Sequence, residues 1–201
     1  MNCDFSIQIL RQNWLNGDSL NDLCSHGEIE LWIGNQQIAR DEQLGEDGLS
    51  YGISETALGL LRTLRYRHTG MNRVAEHLIQ AGSGAILMMG CNIGIDWTLR
   101  HNQESVCISN VVRYDSNDVS KEIRFPNLKI EIAWINYAKQ VIAFAKEAKT
   151  FFENLPKNQS GETIEGEYDA FWLEYDNLLE NWEIPCERDR IRRGSYLDYH
   201  A

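Results

Sequence analysis

The spacing of apolar residues changes along the chain, and this change most restricts the folds that are open to it. From Ile93 to Leu99 and again from Val106 to Tyr114, apolar and polar residues largely alternate, which is typical of β-strands. From Trp134 onward apolar residues recur three or four positions apart, as on the buried face of an α-helix. We therefore predict an α+β fold, with helices packed on an antiparallel sheet.

Further strands are predicted on both sides of this alternating region. Alternating apolar and polar residues predict a strand at 5–10. Two further strands are predicted to form a hairpin around Gly34-Asn35, a pair that tolerates positive φ. The apolar run at 85–89 predicts a strand covered on both faces, and another strand is predicted at 128–132. Together these segments predict a sheet of about five to seven strands.

Helical spacing predicts two long helices in the last third of the chain, at 134–155 and 163–182. An earlier helix is predicted to begin at Ser54, with this serine as its N-cap, and a short helix is predicted at 74–79.

Residues 1–187 are expected to form a single domain. Residues 188–201 are expected to form a basic tail, which is either disordered or folded back on the protein.

The overall charge argues against nucleic acid as a partner. Thirty acidic residues oppose 19 lysines and arginines, giving a formal charge of −11, and an acidic surface repels phosphate. Long apolar runs and a signal-like start are both missing from the sequence, so we expect a cytoplasmic protein without a membrane segment. The five cysteines lack a C-x-x-C pair and are expected to be reduced.

One segment offers a catalytic interpretation. Cys91 lies in a glycine-bracketed turn, and Asp96 and His101 follow it closely, with Trp97 and Arg113 in the same predicted strands. A thiol nucleophile with a histidine base would use these residue types. Buried structural cysteines are more common, so this remains the alternative to a binding function.

Metal and cofactor sites are not predicted. The five histidines show neither the His-x-His nor the His-x-x-x-His spacing that places two imidazoles on one face of a strand or helix. The chain also lacks the patterned Asp/Asn/Gly loop of an EF-hand.

The negative charge is concentrated in the predicted last helix. The window from Glu162 to Glu187 contains nine acidic residues and no lysine or arginine, so it carries −9 of the net −11. Helical geometry brings most of them into one carboxylate row beside an aromatic residue, and the residues of this surface are Glu165, Asp169, Trp172, Asp176, Glu180 and Glu183.

Like charges spaced i, i+4 destabilise a helix by about 0.2–0.5 kcal/mol per pair. Three interpretations of the row therefore stay open: a solvated face, a surface for the chain's own arginine-rich tail, or a docking surface for a basic partner.

In size, charge and the acidic, aromatic-edged surface formed by Glu165, Asp169, Trp172, Asp176, Glu180 and Glu183, the chain resembles the small cytoplasmic immunity proteins that bacteria pair with polymorphic toxins. The resemblance implies a protein without catalysis of its own that binds a basic toxin domain, often a nuclease, and covers its active site. Two alternatives come from other classes. One is an enzyme or small-ligand protein with its site around Cys91, Asp96 and His101, and the other is a self-associating structural protein.

Overall fold

The computed structural model describes residues 4–39, 50–70, 77–81, 93–115, 122–162 and 164–182. Within these ranges the chain has nine strands, all paired antiparallel, and three α-helices. The α+β prediction is therefore confirmed. The strands are divided between a four-stranded and a five-stranded sheet. The strand predicted at 85–89 lies outside the described residues.

The first sheet is built around one long central strand. The strands are β1 (Phe5–Asn13), β2 (His26–Ile33), β3 (Gln36–Ala39) and β4 (Tyr51–Gly52). β1 pairs along the length of β2, while β3 and β4 pair with the two ends of β2. The predicted hairpin between β2 and β3 is confirmed, and its turn depends on Gly34, whose φ of 63° favours glycine.

The second sheet has the order β5-β6-β7-β8, with β9 paired to the other part of β7. Its strands are β5 (Ile79–Gln80), β6 (Gly94–His101), β7 (Ser105–Tyr114), β8 (Glu122–Phe125) and β9 (Ile130–Ala133). The short helix predicted at 74–79 is wrong at Ile79, because this residue belongs to β5 and pairs with Ile95. β8 was not predicted, because its exposed isoleucine and charged residues carry little apolar signal.

A bulge interrupts the long hairpin of β6 and β7. One residue of β6, Trp97, lies opposite two residues of β7 between the pairs Thr98–Ser109 and Asp96–Val112. Asn110 absorbs the extra residue by adopting a left-handed conformation with φ of 54°. The bulge lets both faces of β6 be buried from Gly94 to Leu99.

The helices are α1 (Ile53–Thr63), α2 (Trp134–Thr150) and α3 (Glu167–Glu180). The prediction of Ser54 as N-cap is wrong: Gly52 is the N-cap, and Ser54 lies in the first turn. α3 begins four residues later than predicted, because Gly166 before it has a left-handed φ of 80°. No described helix is both long and apolar enough to span a membrane.

A single apolar cluster joins both sheets and all three helices. At its centre the ring of Phe5 lies 6.1 Å from that of Trp97 and 4.9 Å from that of Tyr137. These rings belong to β1, β6 and α2. Phe5 therefore connects the first sheet with both the second sheet and α2. α3 covers this core from outside through Phe171, Tyr175 and Leu178, which are buried.

Candidate functional site

The acidic window divides into residues used inside the molecule and residues that face outward. Glu162 receives hydrogen bonds from the backbone N–H groups of Gly166 (3.0 Å) and Tyr168 (2.8 Å). Glu167, which is buried, receives one from the N–H of Ile164 (3.1 Å). Negative side chains at the start of a helix satisfy its free N–H groups and favour its dipole, so these two acids stabilise the start of α3.

Two further acids attach α3 to the other helices. The carboxylate of Glu174 accepts two hydrogen bonds of 2.8 Å from the Arg62 guanidinium on α1. Asp176 accepts one of 2.5 Å from Lys149 on α2. The acidic window contains no basic residue of its own, but neighbouring helices supply the positive charges that relieve part of the repulsion.

The rest of the described acids face outward. We define the outer face of α3 as Asp169, Leu173 and Glu180 on the helix, together with Ile164 and Glu165 just before it. All five side chains are exposed. Asp169, Leu173 and Glu180 lie within about 40° of one another around the helix, opposite its buried residues. Asp169 accepts a hydrogen bond of 3.1 Å from Gln159.

Two apolar side chains stand out on this outer face. Ile164 is 65% exposed and Leu173 is 66% exposed, which makes them the most exposed large hydrophobic residues in the described part of the chain. The predicted docking surface included neither of them. Leu173 is an apolar residue on the charged side of the helical pattern. Ile164 has the helical spacing of the buried residues, but it precedes α3, which begins at Glu167.

The predicted docking surface also included Trp172, Asp176 and Glu183, which are not part of the outer face of α3. Trp172 is half-buried, and its ring lies 4.7 Å from Phe152 and 5.0 Å from Tyr175. It therefore packs at the edge of the core, whereas Asp176 bonds to Lys149. Glu183 lies outside the described residues, and Glu165 precedes α3 as part of a turn.

A second group of candidate residues surrounds Asp96 on β6. Its carboxylate Oδ1 lies 2.7 Å from Nε2 of His68, and its Oδ2 lies 4.0 Å from Nδ1 of His77. Asp96 and His77 are buried, and the His77 ring stacks on Tyr114 with centroids 4.8 Å apart. Burial raises the pKa of the Asp96 carboxyl, but the hydrogen bond from His68 and the nearby His77 outweigh it and keep this pKa below its ordinary value.

Asp96 and His101, two of the predicted catalytic residues, are not brought together by the structure. Asp96 and His101 are five positions apart on β6, which places them on opposite faces of the strand. Nε2 of His101 lies 2.9 Å from the backbone oxygen of Thr63, and Trp97 is completely buried. Arg113 pairs with the neighbouring Asp115 and donates to the backbone oxygen of Ile38. Cys91 lies outside the described residues.

Sequence reasoning missed the histidines that contact Asp96. His68 follows α1 and is held beside β6 by two backbone hydrogen bonds with Leu99, of 3.0 and 2.8 Å. His77 precedes β5, which pairs with β6. Because both contacts are made between segments distant in sequence, residue spacing carries no signal for them.

Among the described residues, a mixed set of metal-ligand side chains converges at Asp22, Cys24 and His26, all of them buried. Burial raises the pKa of the Cys24 thiol, with the negative charges of Glu55 and Asp22 acting in the same direction. The thiol is therefore protonated when no cation is present. The histidine-spacing rule did not detect this set, because it contains three different residue types.

The chain matches no known protein-family model. Comparisons with curated proteins and with solved structures likewise give no match.

Proposed function

We propose that this chain is a cytoplasmic binding protein that neutralises a basic partner, an immunity protein for a toxin domain, and that it docks through the outer face of α3. The observation that carries this proposal is the exposed Leu173 on α3, which lies on the same side of the helix as the carboxylates of Asp169 and Glu180, with the exposed Ile164 before the helix. A face that serves only solubility gains nothing from exposed isoleucine and leucine. Apolar anchors surrounded by polar groups are typical of protein interfaces.

The two kinds of residue on the outer face would act at different stages of binding. Glu165, Asp169 and Glu180 would attract a positive partner over a distance and raise the association rate. Leu173 would be buried on contact, and full burial of such a side chain contributes about 1.5–3 kcal/mol. Charge would therefore govern association, while the apolar residues would govern dissociation.

Neutralisation by occlusion is physically consistent with such a surface. A nuclease active site is positively charged because it must hold phosphate groups. Carboxylates on the outer face of α3 could occupy the same positive surface and exclude the nucleic acid. The partner class itself rests on the resemblance to immunity proteins.

The test uses the protein encoded beside the gene for this chain as the binding partner. We expect the double variant Asp169→Lys/Glu180→Lys to associate about tenfold more slowly at low salt and to show a weaker dependence on salt. Leu173→Ser should mainly raise the dissociation rate. Surface plasmon resonance at several salt concentrations separates the two effects.

The matched control reverses two exposed acids elsewhere, Glu104→Lys/Glu147→Lys, which changes the net charge by the same amount. This control should retain most of the association rate. Equal slowing in both double variants would show that only net charge matters, and unchanged binding in Asp169→Lys/Glu180→Lys would rule out this docking surface. If the neighbouring protein does not bind, the immunity proposal fails.

The basic tail provides a second control, because it could compete for the same carboxylates. Its four arginines can be replaced together by glutamine in the full chain; they are Arg188, Arg190, Arg192 and Arg193. Faster association of this variant would indicate that the tail covers the outer face of α3. An unchanged rate would indicate that the face is open to the partner.

The contact between Asp96 and His68 supports a second candidate, a small-ligand or catalytic site in the second sheet. A carboxylate that orients a histidine is a common element of acid–base catalysis. The catalytic version of this candidate needs Cys91 as a reactive thiol. Rapid modification of one thiol at neutral pH, assigned to Cys91 by mass spectrometry, would favour it, and five slow thiols would exclude a cysteine nucleophile.

A further inference from the structure

Three potential metal ligands meet in the buried segment that leads into β2. The Sγ atom of Cys24 lies 3.6 Å from Nε2 of His26 and 3.7 Å from Oδ1 of Asp22. The same Nε2 lies 3.3 Å from Oδ1 and 3.2 Å from Oδ2 of Asp22. All three residues are buried. The Asp22 carboxylate also accepts hydrogen bonds from the backbone N–H groups of Leu15 (2.6 Å) and Cys24 (3.3 Å).

The local chain conformation explains why these side chains converge. Asp22, Cys24 and His26 alternate with Leu23 and Ser25, and the chain bends at Cys24 before it enters β2. The intervening Ser25 is held by the start of α1: its N–H donates to Ser54 Oγ (3.1 Å), and its oxygen accepts from the Ile53 N–H (2.7 Å).

This attachment also brings an acidic residue close to the site. Glu55 lies in the first turn of α1, next to Ser54. Its carboxylate accepts a hydrogen bond of 2.9 Å from the Ser54 hydroxyl. Its negative charge helps to raise the pKa of the Cys24 thiol.

The spacing of the donor atoms matches tetrahedral zinc. Zinc bonds are about 2.3 Å to sulfur, 2.0–2.1 Å to nitrogen and 2.0–2.2 Å to oxygen. At tetrahedral angles these lengths separate neighbouring ligand atoms by about 3.3–3.6 Å, close to the distances observed here. A cation above the triangle of donors could be about 2.1–2.3 Å from all three.

Nε2 of His26 faces more possible partners than it can bond to at once. Nε2 faces both oxygens of Asp22 and the sulfur of Cys24, but it has only one hydrogen or one lone pair to offer. Nδ1 of His26 is buried and has no hydrogen-bond partner among the described residues. A cation in the middle of the three donors would satisfy the crowded side of the ring.

The types of ligand select the cation. Thiolate and imidazole favour zinc and similar transition-metal ions over magnesium and calcium, which prefer oxygen alone. The Asp22 carboxylate and the Cys24 thiolate would balance the two positive charges of the ion. The ammonium group of Lys157 donates to the backbone oxygen of Asp22 (2.6 Å) and holds the backbone of this ligand in place.

We propose that Asp22, Cys24 and His26 form a buried site for zinc at the start of β2. The fourth ligand of the tetrahedral ion would be a water molecule or the nearby Glu55 carboxylate. Because the three protein ligands come together only in the folded chain, binding of the ion would stabilise the fold. The site is independent of the outer face of α3 and of any partner.

Cobalt provides the direct test, because it replaces zinc and absorbs light. The purified full chain is stripped with a chelator and titrated with Co²⁺. We expect about one equivalent to bind with the visible bands of tetrahedral cobalt and a thiolate-to-cobalt charge-transfer band. Zn²⁺ should displace it and raise the melting temperature.

Variants assign the ligands. Cys24→Ser should lose the charge-transfer band, while the control Cys107→Ser, which removes a half-buried thiol in the other sheet, should keep it. His26→Gln should weaken Co²⁺ binding by at least about tenfold, because it removes the imidazole ligand. Near-ultraviolet circular dichroism checks that each variant is folded.

If Cys24→Ser does not fold, X-ray absorption of the zinc-loaded wild type decides the question. One sulfur and three nitrogen or oxygen neighbours are expected. No uptake of either metal by the wild type, a shell with two or more sulfurs, or a charge-transfer band that persists in Cys24→Ser would overturn the proposal.

Discussion

Asp96 shows how a single buried residue depends on partners from distant segments. Its carboxylate is buried in the second sheet and accepts hydrogen bonds from His68 (2.7 Å) and from the N–H of Trp97 (3.0 Å). Removing such partners from a buried charged group costs about 1.5–3 kcal/mol. The residue therefore contributes to stability whatever the function of this region.

The pH dependence of stability tests this contribution. Since the pKa of Asp96 in the folded protein lies below its ordinary value of 3.8, the unfolded chain takes up a proton first as the pH falls. The contribution is fully present above pH 3.8 and is lost as the pH falls through the pKa of the folded protein. We expect the difference in unfolding free energy between wild type and Asp96→Asn to narrow below pH 3.8 in urea titrations. A difference that is constant with pH would contradict this account.

Asn110 determines the geometry of a whole element, the bulged strand β7. Its φ of 54° costs an ordinary side chain about 1–2 kcal/mol, whereas glycine adopts it freely. We therefore expect Asn110→Gly to be more stable than Asn110→Ala by about 1 kcal/mol, the reverse of the order in a regular strand. Chemical denaturation of the two variants measures the difference. Equal stability would mean that the bulge relaxes when the asparagine is removed.

Packing, more than charge, attaches α3 to the rest of the protein. The ring of Tyr175 is completely buried, and its hydroxyl donates to the backbone oxygen of Ala145 (2.7 Å). The adjacent Asp176 makes a salt bridge to Lys149 in which both side chains remain more than a third exposed. Exposed pairs contribute about 0.2–1 kcal/mol.

Neighbouring substitutions on α3 separate these effects. Tyr175→Ala should destabilise the protein by about 3–5 kcal/mol, because it leaves a large cavity and an unpaired carbonyl. Asp176→Asn should cost less than about 1 kcal/mol. Urea denaturation of both variants provides the comparison, and a larger loss in Asp176→Asn would show that charge holds the helix.

At the scale of the whole molecule, the single apolar cluster predicts cooperative unfolding. Phe5, Trp97 and Tyr137 connect the two sheets and α2, so neither sheet can lose its packing alone. We expect tryptophan fluorescence and far-ultraviolet circular dichroism to change at the same urea concentration. Trp97→Ala should cost about 3–5 kcal/mol and shift both signals together. Two separate transitions would contradict this coupling.

Local patterns predicted most elements but not their arrangement. Alternation located β1 and the hairpins β2-β3 and β6-β7, and helical spacing located the three helices. The start of α3 was misplaced, because the left-handed Gly166 breaks a pattern that the apolar residues continue. The division into two sheets was not predicted, because the choice of strand partners depends on packing between distant segments.

In the candidate sites, too, local features could be predicted from the sequence, but contacts between distant segments could not. The acidic row was visible in the sequence, because charge and helical spacing are local properties. The pairing of Glu174 with Arg62 and of Asp176 with Lys149 depends on how α1, α2 and α3 pack. The contacts of Asp96 with His68 and His77 likewise exist only after the chain has folded.

The contact between Phe5 and Tyr137 has a consequence for synthesis on the ribosome. Phe5 in β1 packs on Trp97 in β6 and on Tyr137 in α2, and α2 is the later of these two elements to be made. Before that, β1 and β2 can pair, but the part of their apolar face that α2 covers stays exposed. Nascent chains of this protein should therefore depend on holding chaperones until α2 appears.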